Sequence, residues 1–190
     1  MAFTRKFYTA DTHFGHALML SPSLQRPRPF DSTREMDEFL IRAWNEVVGN
    51  EDIVYHLGDF AFGLHDEARV RSIFARLNGR KILILGNHDY GKQNVVHRVV
   101  AGLGWEDVAQ HYETNDYGQR VFLSHYAQRT WPGLRKGAWH FFGHCHGSLP
   151  PLGRSRDVGV DCEDTGYAPR TFKQLTAGMR DVPAAFEEGA

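Results

Sequence analysis

The segment KILILGNHD, residues 81–89, joins an apolar run to a polar cluster and decides the class of fold. Lys81 to Leu85 is apolar enough for a strand buried on both faces, and it stops at Gly86-Asn87-His88-Asp89. Two earlier segments have the same form: KFYTADTH at residues 6–13 and IVYHLGD at residues 53–59. Helical patterns separate the three runs, and this alternation is typical of α/β proteins.

The helices between these strands are marked by apolar stripes and capping residues. The first is predicted from about Ser32 to Val48, where Ser32 and Glu35 can form a capping box. A second is predicted from roughly Glu67 to Leu77, and a third ends at about Leu103.

After Trp105 the sequence changes to short strands and turns, which predicts a second region of sheet. Its first two strands flank the turn-prone residues 115–118 and predict a hairpin. The predicted strands and the closing helix are Val108–Thr114, Arg120–Ser124, Ala138–Phe142, Arg156–Asp161 and Thr171–Met179. No repeat or linker divides the chain, so we expect one domain over residues 1–190.

The composition excludes several classes of protein. With 190 residues, 42% of them hydrophobic, the chain can bury a sizeable core, which argues against disorder. Its formal charge of -1 provides no overall attraction to nucleic acid or to an acidic membrane. Two cysteines cannot form a disulfide framework, and no signal peptide or membrane-length apolar run is recognisable. We therefore expect a cytoplasmic protein with no membrane partner.

Metal-binding residue types follow the strands wherever a strand ends in a polar cluster. Ligands of α/β proteins collect at the carboxyl ends of strands, so we expect these side chains to form one centre. The seven donors are Asp11, His13, Asp59, Asn87, His125, His144 and His146.

Seven donors exceed the three or four protein ligands of one catalytic zinc ion, whereas two ions that share a carboxylate fit the number. Imidazole and oxygen donors suit manganese, iron or zinc. We expect two divalent ions, manganese first, with zinc, iron, nickel and magnesium as alternatives. Two such ions about 3.5–4 Å apart assist in-line displacement at phosphorus, which predicts hydrolysis of phosphate esters.

Taken in order, the motifs resemble those of the calcineurin-like metallophosphoesterase superfamily. They are Asp11-Thr12-His13, Gly58-Asp59, Gly86-Asn87-His88-Asp89, Ser124-His125 and Gly143-His144-Cys145-His146. The resemblance implies a four-layer α/β/β/α sandwich, in which two mixed β-sheets lie face to face with helices outside.

The resemblance also implies roles for individual residues. Asp11, His13 and His146 would bind one ion. Asn87, His125 and His144 would bind the other, and Asp59 would bridge the two. His88 would be no ligand but a general acid at the leaving-group oxygen, or a donor to the phosphoryl group.

Where the sequence departs from the superfamily pattern, it indicates which group of the superfamily it resembles. The second motif continues as Phe60-Ala61-Phe62-Gly63 and lacks the Asp-Arg pair of the protein serine/threonine phosphatases, which disfavours a phosphoprotein substrate. If His88 needs an orienting carboxylate, Asp89 or another residue must supply it. The opening DTHFGH, residues 11–16, is similar to small bacterial and phage phosphoesterases.

Candidate substrate contacts lie in the loops beside the motifs. Guanidinium groups match phosphate oxygens, and an aromatic ring can stack on a base, although an ordinary solvated loop would have the same composition. The candidates are His16, Arg26, Arg28, Arg129 and Arg135, with Lys136, Tyr126 and Trp131 beside them. His16 is equally well interpreted as a packing residue of its loop.

Cys145 and five of the histidines are expected to have no direct role at the centre. Alternation along an extended segment would place His144 and His146 on one side and Cys145 on the other. Surface or core positions without a direct role are expected for His56, His65, His97, His111 and His140.

The motifs therefore predict a metal-dependent phosphohydrolase, with phosphodiesters favoured and His88 and Asp59 as catalytic residues. A hydroxide that bridges the ions would attack phosphorus in line. The expected partner is a small phosphate ester, with a nucleotide as one candidate. Two alternatives stay open: a nuclease with a local basic groove, and a non-catalytic protein-binding scaffold of the same fold.

Overall fold

A computed structural model of the chain describes residues 4–179, and these residues contain two β-sheets. The first sheet consists of β1 (Lys6–Thr9), β2 (Ile53–His56), β3 (Arg80–Ile84), β4 (Asp107–Ala109) and β9 (Arg170–Thr171). Its order is β4-β3-β2-β1-β9, and only β9 runs antiparallel to its neighbour.

The second sheet has the order β5-β6-β7-β8. Its strands are β5 (His111–Asp116), β6 (Gln119–Ser124), β7 (Trp139–Phe142) and β8 (Ser155–Asp157). β5 and β6 form the predicted hairpin, and the other pairs are parallel. The expectation of an α/β fold with two mixed sheets is confirmed.

Four α-helices accompany the sheets in the described part of the chain: α1 (Thr33–Val47), α2 (Glu67–Arg76), α3 (Arg98–Ala101) and α4 (Phe172–Leu175). Half of the predicted capping box of α1 is present: the Ser32 hydroxyl accepts the backbone N–H of Glu35 at 3.2 Å, whereas the Glu35 carboxylate accepts the backbone N–H of Asp31 instead of that of Ser32. Trp44 on α1 is buried, and its indole N–H donates to the carbonyl of Asn78. Within residues 4–179 no helix has the length and apolar character needed to cross a membrane.

Two apolar clusters define the layers. Tyr8, Leu57 and Ile84 of the first sheet pack against Leu123 and Phe141 of the second. The opposite face of the first sheet packs on α1 and α2 through a separate cluster. Over the outer face of the second sheet, the loop between β6 and β7 inserts a buried Trp131 against Phe122 and Ala138.

The third predicted helix is much shorter than expected, since only Arg98–Ala101 is α-helical. Gly86 to Asp89 turns tightly, because the Asp89 carboxylate accepts the backbone N–H of Gly86. Gln93 and Asn94 then adopt positive φ values, which a helix cannot continue through.

The predicted strand Val108–Thr114 is in fact two strands in different sheets. β4 pairs with β3, and β5 pairs with β6, so the chain passes between the sheets at Gln110. An apolar pattern shows that a segment is extended but not which sheet it joins.

The topology brings the carboxyl ends of β1, β2, β3, β6 and β7 to one edge of the sandwich. Two glycines allow the loops to meet there. A Cβ on Gly58 would lie 2.4 Å from the backbone nitrogen of Gly86, and one on Gly86 would lie 2.3 Å from Oδ1 of Asp59. Since real side chains do not approach this closely, only glycine fits the two loops at this distance.

Candidate metal centre

Two groups of side chains that could hold a metal ion lie at this edge. The first consists of Asp11, His13 and His146, and the second of Asp59, His125 and His144. Within each group, one candidate ligand atom per residue lies within 4.8 Å of the others. The residues come from loops far apart in sequence, so the fold itself assembles them.

Asp59 lies between the groups. Its Oδ2 atom is 3.5 Å from Nε2 of His13 and also 3.5 Å from Nε2 of His125. Its Oδ1 atom accepts the backbone N–H of His88 at 2.8 Å. The carboxylate is therefore fixed with one oxygen directed between an imidazole of each group.

Five of the seven predicted ligands have backbone φ values in the left-handed region. The φ values are 56° for Asp11, 47° for His13, 59° for Asp59, 68° for His144 and 48° for His146. This region is uncommon for residues other than glycine, and such conformations cluster at functional sites. Because His144 and His146 both adopt it, their segment is a turn. The expected alternation about Cys145 is wrong, and the two histidines lie in different groups.

Hydrogen bonds orient the imidazole rings. Nδ1 of His125 donates to the carbonyl of Leu57 at 2.7 Å, and Nδ1 of His146 donates to Oδ2 of Asp161 at 2.6 Å. In each ring the lone pair of a neutral imidazole is therefore on Nε2, the atom available to a metal ion. Burial lowers the pKa of His125, which favours this neutral form.

The donors at the centre fit divalent cations. Oδ1 of Asp11 and Nε2 of His13 are buried and have no hydrogen-bond partner among the described residues. Nε2 of His125 and Oδ1 of Asn87 lie 3.0 Å apart, although with Nδ1 of His125 donating to Leu57 both atoms carry lone pairs. One cation at each group would satisfy the two atoms that lie there.

The charge distribution also favours a cation. Burial raises the pKa of Asp11, and the neighbouring carboxylates of Asp157 and Asp59 raise it further. Burial lowers the pKa of His13, and the nearby His146 and Arg28 lower it as well. Carboxylates that resist ionisation beside imidazoles that resist protonation are the groups whose charges bound cations would balance.

Asn87 and His88 lie at the rim of the centre. Asn87 is exposed and belongs to the side of His125, whereas His88 is half-buried with its ring 5.2 Å from the ring of His13. The buried Asp89 does not orient the His88 ring. Its carboxylate accepts the backbone N–H groups of Gly86, Asp59 and Phe60, and it thereby ties two motif loops together.

His16 lies beside the first group. It is 8% exposed, its Nδ1 is 3.2 Å from Nδ1 of His13, and its ring stacks on Phe62 at 3.9 Å. Burial lowers its pKa, with His88 adding to the effect. His16 therefore contacts one predicted ligand directly and reaches the rim through Phe62.

Arg28 lies beneath the centre instead of facing its open side. Its guanidinium forms a bidentate pair with Asp161 at 2.7 and 2.8 Å. It also donates to the backbone carbonyls of Asp11 and Thr12. With its donors taken by protein groups, Arg28 supports the first motif from below.

Asp161 is the residue at this centre that sequence reasoning missed. Burial would raise its pKa, but hydrogen bonds from Arg28 and His146 outweigh that effect and hold the pKa below its usual range. The signal was present in Val158-Gly159-Val160-Asp161, where an apolar run stops at a carboxylate as in the other motifs.

The other candidate arginines are not gathered at the centre. Arg26 is exposed and lies 3.6 Å from Glu163. Arg129 is exposed on the loop after β6. Arg135 and Lys136 line a cavity of about 460 Å³ with Arg120. His125 lies five positions after Arg120, just beyond the end of β6, which is roughly 16 Å of extended chain.

Two of the remaining histidines, His56 and His140, occupy core positions as expected. His56 is buried against the hydroxyl of Thr12, and His140 lies between the hydroxyls of Ser124 and Ser155. Cys145 and Cys162 are free, and neither belongs to a ligand group among residues 4–179.

The fold and the paired ligand groups are those of a metal-dependent phosphoesterase. The family model for calcineurin-like phosphoesterases matches residues 7–170 of the chain. Since this match covers most of the 190 residues, the chain belongs to the calcineurin-like phosphoesterase family, whose members are metal-dependent hydrolases of phosphate esters.

Individual proteins show the same relationship. An uncharacterised protein of Methanocaldococcus jannaschii is 34% identical over 172 residues, which are 87% of this chain and 86% of that protein. The gene 66 protein of Mycobacterium phage L5 is 35% identical over 85 residues, which are 44% of this chain and 39% of the phage protein. A crystal structure of a protein of unknown function from Aquifex aeolicus has a TM-score of 0.67 and 22% identity, covering 92% of this chain and 99% of that one. This last likeness supports the fold.

Proposed function

We propose that this phosphoesterase uses two divalent ions to hydrolyse small phosphate esters, with phosphodiesters preferred. The observation that carries the proposal is the position of Asp59. One oxygen of this carboxylate lies 3.5 Å from a nitrogen of His13 and 3.5 Å from a nitrogen of His125. A carboxylate that serves two ligand groups at once suits a pair of ions better than a single one.

In this proposal each ion has its own set of ligands, and Asp59 is shared. Asp11, His13 and His146 hold the first ion, and Asn87, His125 and His144 hold the second. Manganese is the expected metal, because the donors are imidazole nitrogens and oxygens, and zinc, iron, nickel and magnesium are the alternatives. When bound, the ions supply a hydroxide nucleophile and positive charge for the phosphoryl oxygens during in-line displacement.

His88 acts on the leaving group. Its backbone is held by Oδ1 of Asp59, and its half-buried ring lies beside His13 at the open side of the centre. From there, the protonated ring can donate to the ester oxygen as the bond to phosphorus breaks. The carboxylate of the adjacent Asp89 accepts backbone N–H groups, so it does not hold the His88 ring away from a substrate.

The substrate is a small ester, with nucleotides as the first class to test. Arg28 is buried, and Arg135 lies towards the far end of β6, so the contacts of these two arginines do not support a basic groove for a long nucleic acid at the centre. The free thiols of Cys145 and Cys162 are compatible with the reducing cytoplasm that we propose as the location.

A panel of mono- and diesters, cyclic and linear nucleotides included, tests the proposal in protein loaded with manganese, zinc, magnesium, nickel or iron. We expect metal-dependent turnover that Asp59→Asn abolishes and that the surface variant Asp107→Asn retains. Full activity after metal removal, or in Asp59→Asn, would contradict the proposal. Turnover of polymeric RNA or DNA alone, with a steep salt dependence, would indicate a nuclease instead.

A further inference from the structure

Two exposed aromatic rings, Phe62 and Tyr126, border the centre on opposite sides, and we call them the aromatic pair. Phe62 is 41% exposed and Tyr126 is 52% exposed. The ring of Phe62 lies 5.8 Å from that of His88, and the ring of Tyr126 lies 4.6 Å from that of His144. Exposed aromatic rings that touch predicted catalytic and ligand side chains are placed to contact a substrate.

Phe62 is held rigidly in this position. Its backbone N–H donates to the carbonyl of Phe14 at 2.9 Å, and its carbonyl accepts from the guanidinium of Arg69. One face of its ring stacks on His16 with an interplanar angle of 11°. Because the loop and the ring are already ordered, a flat group that packs on Phe62 would lose little free energy to ordering of the protein.

Tyr126 is placed differently. Its ring meets His125 and His144 edge-on, with centroid distances of 5.0 and 4.6 Å. Its hydroxyl lies 3.5 Å from Oδ1 of Asn87, on the side of the second ligand group. The hydroxyl can therefore donate to a phosphoryl oxygen, whereas Phe62 offers only an apolar surface.

We infer that Phe62 selects phosphate esters whose leaving group carries a flat aromatic ring, such as a nucleobase, and that Tyr126 binds the phosphoryl group. This inference rests on the proposed function, because His88 defines the side on which the leaving group lies and Phe62 adjoins His88. The leaving-group base stacks on or beside Phe62, and the Tyr126 hydroxyl contacts the phosphoryl group. Trp131 has no such role, since its side chain is buried against Phe122 and Ala138.

Binding measurements on the manganese-loaded protein test the inference without relying on turnover. The ligands are the non-hydrolysable phosphonate analogues of adenosine 5′-monophosphate and of methyl β-D-ribofuranoside 5-phosphate, which share the locked ribose and the phosphonate and differ in whether C1′ carries a base. We expect calorimetry to show about tenfold tighter binding of the base-containing ligand, as one stacked base would provide. Phe62→Leu should remove most of this ratio, and Tyr117→Leu, a change at an exposed aromatic of the β5–β6 turn, should preserve it.

Each result decides between specific alternatives. Equal binding of the two ligands, or an unchanged ratio in Phe62→Leu with normal metal content, would overturn the inference and leave Phe62 as a packing residue for His16. Tyr126→Phe should weaken both ligands to the same extent, because its hydroxyl contacts the phosphoryl group they share. A base preference in a protein that hydrolyses no ester would support the aromatic pair while the proposed function failed.

Discussion

His146 donates a hydrogen bond from Nδ1 to Oδ2 of Asp161 at 2.6 Å, which joins a predicted ligand to a supporting carboxylate. Arg28 holds the same carboxylate from the other side through two hydrogen bonds. The carboxylate thereby selects the tautomer of His146 and directs Nε2 towards the first ligand group. Asp161 is a positioning residue for that group.

Asp161→Asn should lower the affinity for the first ion by about 10- to 100-fold, the range typical of lost carboxylate–histidine contacts. The measurement is titration of metal-free protein with manganese. Asp164→Asn is the matched control, because Asp164 also pairs with a buried arginine, Arg156, yet does not touch a predicted ligand. Wild-type affinity in Asp161→Asn would show that the contact does not position His146.

His88→Ala should lower kcat by roughly 10²- to 10⁴-fold, because a general acid contributes about this much, while metal content stays near two ions per chain. Single-turnover kinetics and elemental analysis provide the two readouts. His111→Ala, an exposed histidine on β5, should behave as wild type. If His88→Ala loses metal instead, the residue is a ligand.

Gly58→Ala should destabilise the protein and disrupt metal binding, because the added Cβ would lie 2.4 Å from the nitrogen of Gly86 and 2.7 Å from Nδ1 of His125. Gly118 has a similar backbone conformation, with a φ of 74° compared with 92° for Gly58, and a Cβ added at Gly118 would meet open space. Gly118→Ala is therefore the matched control. It should cost only the backbone strain of about 1–2 kcal/mol. Thermal unfolding with and without manganese separates the two variants, and equal losses would contradict the close approach of the loops.

The stability of the protein should fall in mild acid through His140. Burial lowers the pKa of His140 to about 4, whereas an unfolded histidine has a pKa near 6.5. Between these values the unfolded state binds more protons, so the free energy of unfolding from this group decreases by up to about 1.4 kcal/mol per pH unit as the pH falls. The variant His140→Gln has no titrating group at this position, so it lacks this contribution to the pH dependence of stability. Urea unfolding should therefore show that the free energy of unfolding of wild type exceeds that of His140→Gln by less at pH 4.5 than at pH 6.5. A difference that stays constant over this range would contradict the role of His140.

The strand ends could be predicted because polar residues that stop an apolar run are a local signal. Asp11, Asp59 and His125 each follow such a run, and the fold brings them together. The short α3 and the crossing at Gln110 were not predictable in the same way. They depend on the carboxylate of Asp89 and on pairing with distant strands, neither of which leaves a periodic pattern.

The roles of polar side chains around the ligands were also beyond a sequence argument. The sequence predicts Arg28 as a phosphate contact because an arginine in a loop gives the same sequence pattern whether its side chain is buried or exposed. Phe62 carried no signal, because its position at the rim follows from the pairing of its loop with that of Phe14. The single domain over residues 1–190 stays a prediction, since residues 1–3 and 180–190 lie outside the described part of the chain.

Anomalous diffraction from crystals of the manganese-loaded protein tests the central claim most directly. We expect two anomalous peaks about 3.5–4 Å apart, one on each side of Oδ2 of Asp59, with His13 beside the first and His125 beside the second. One peak alone at full manganese occupancy, or two peaks that do not share Asp59, would contradict the two-ion centre.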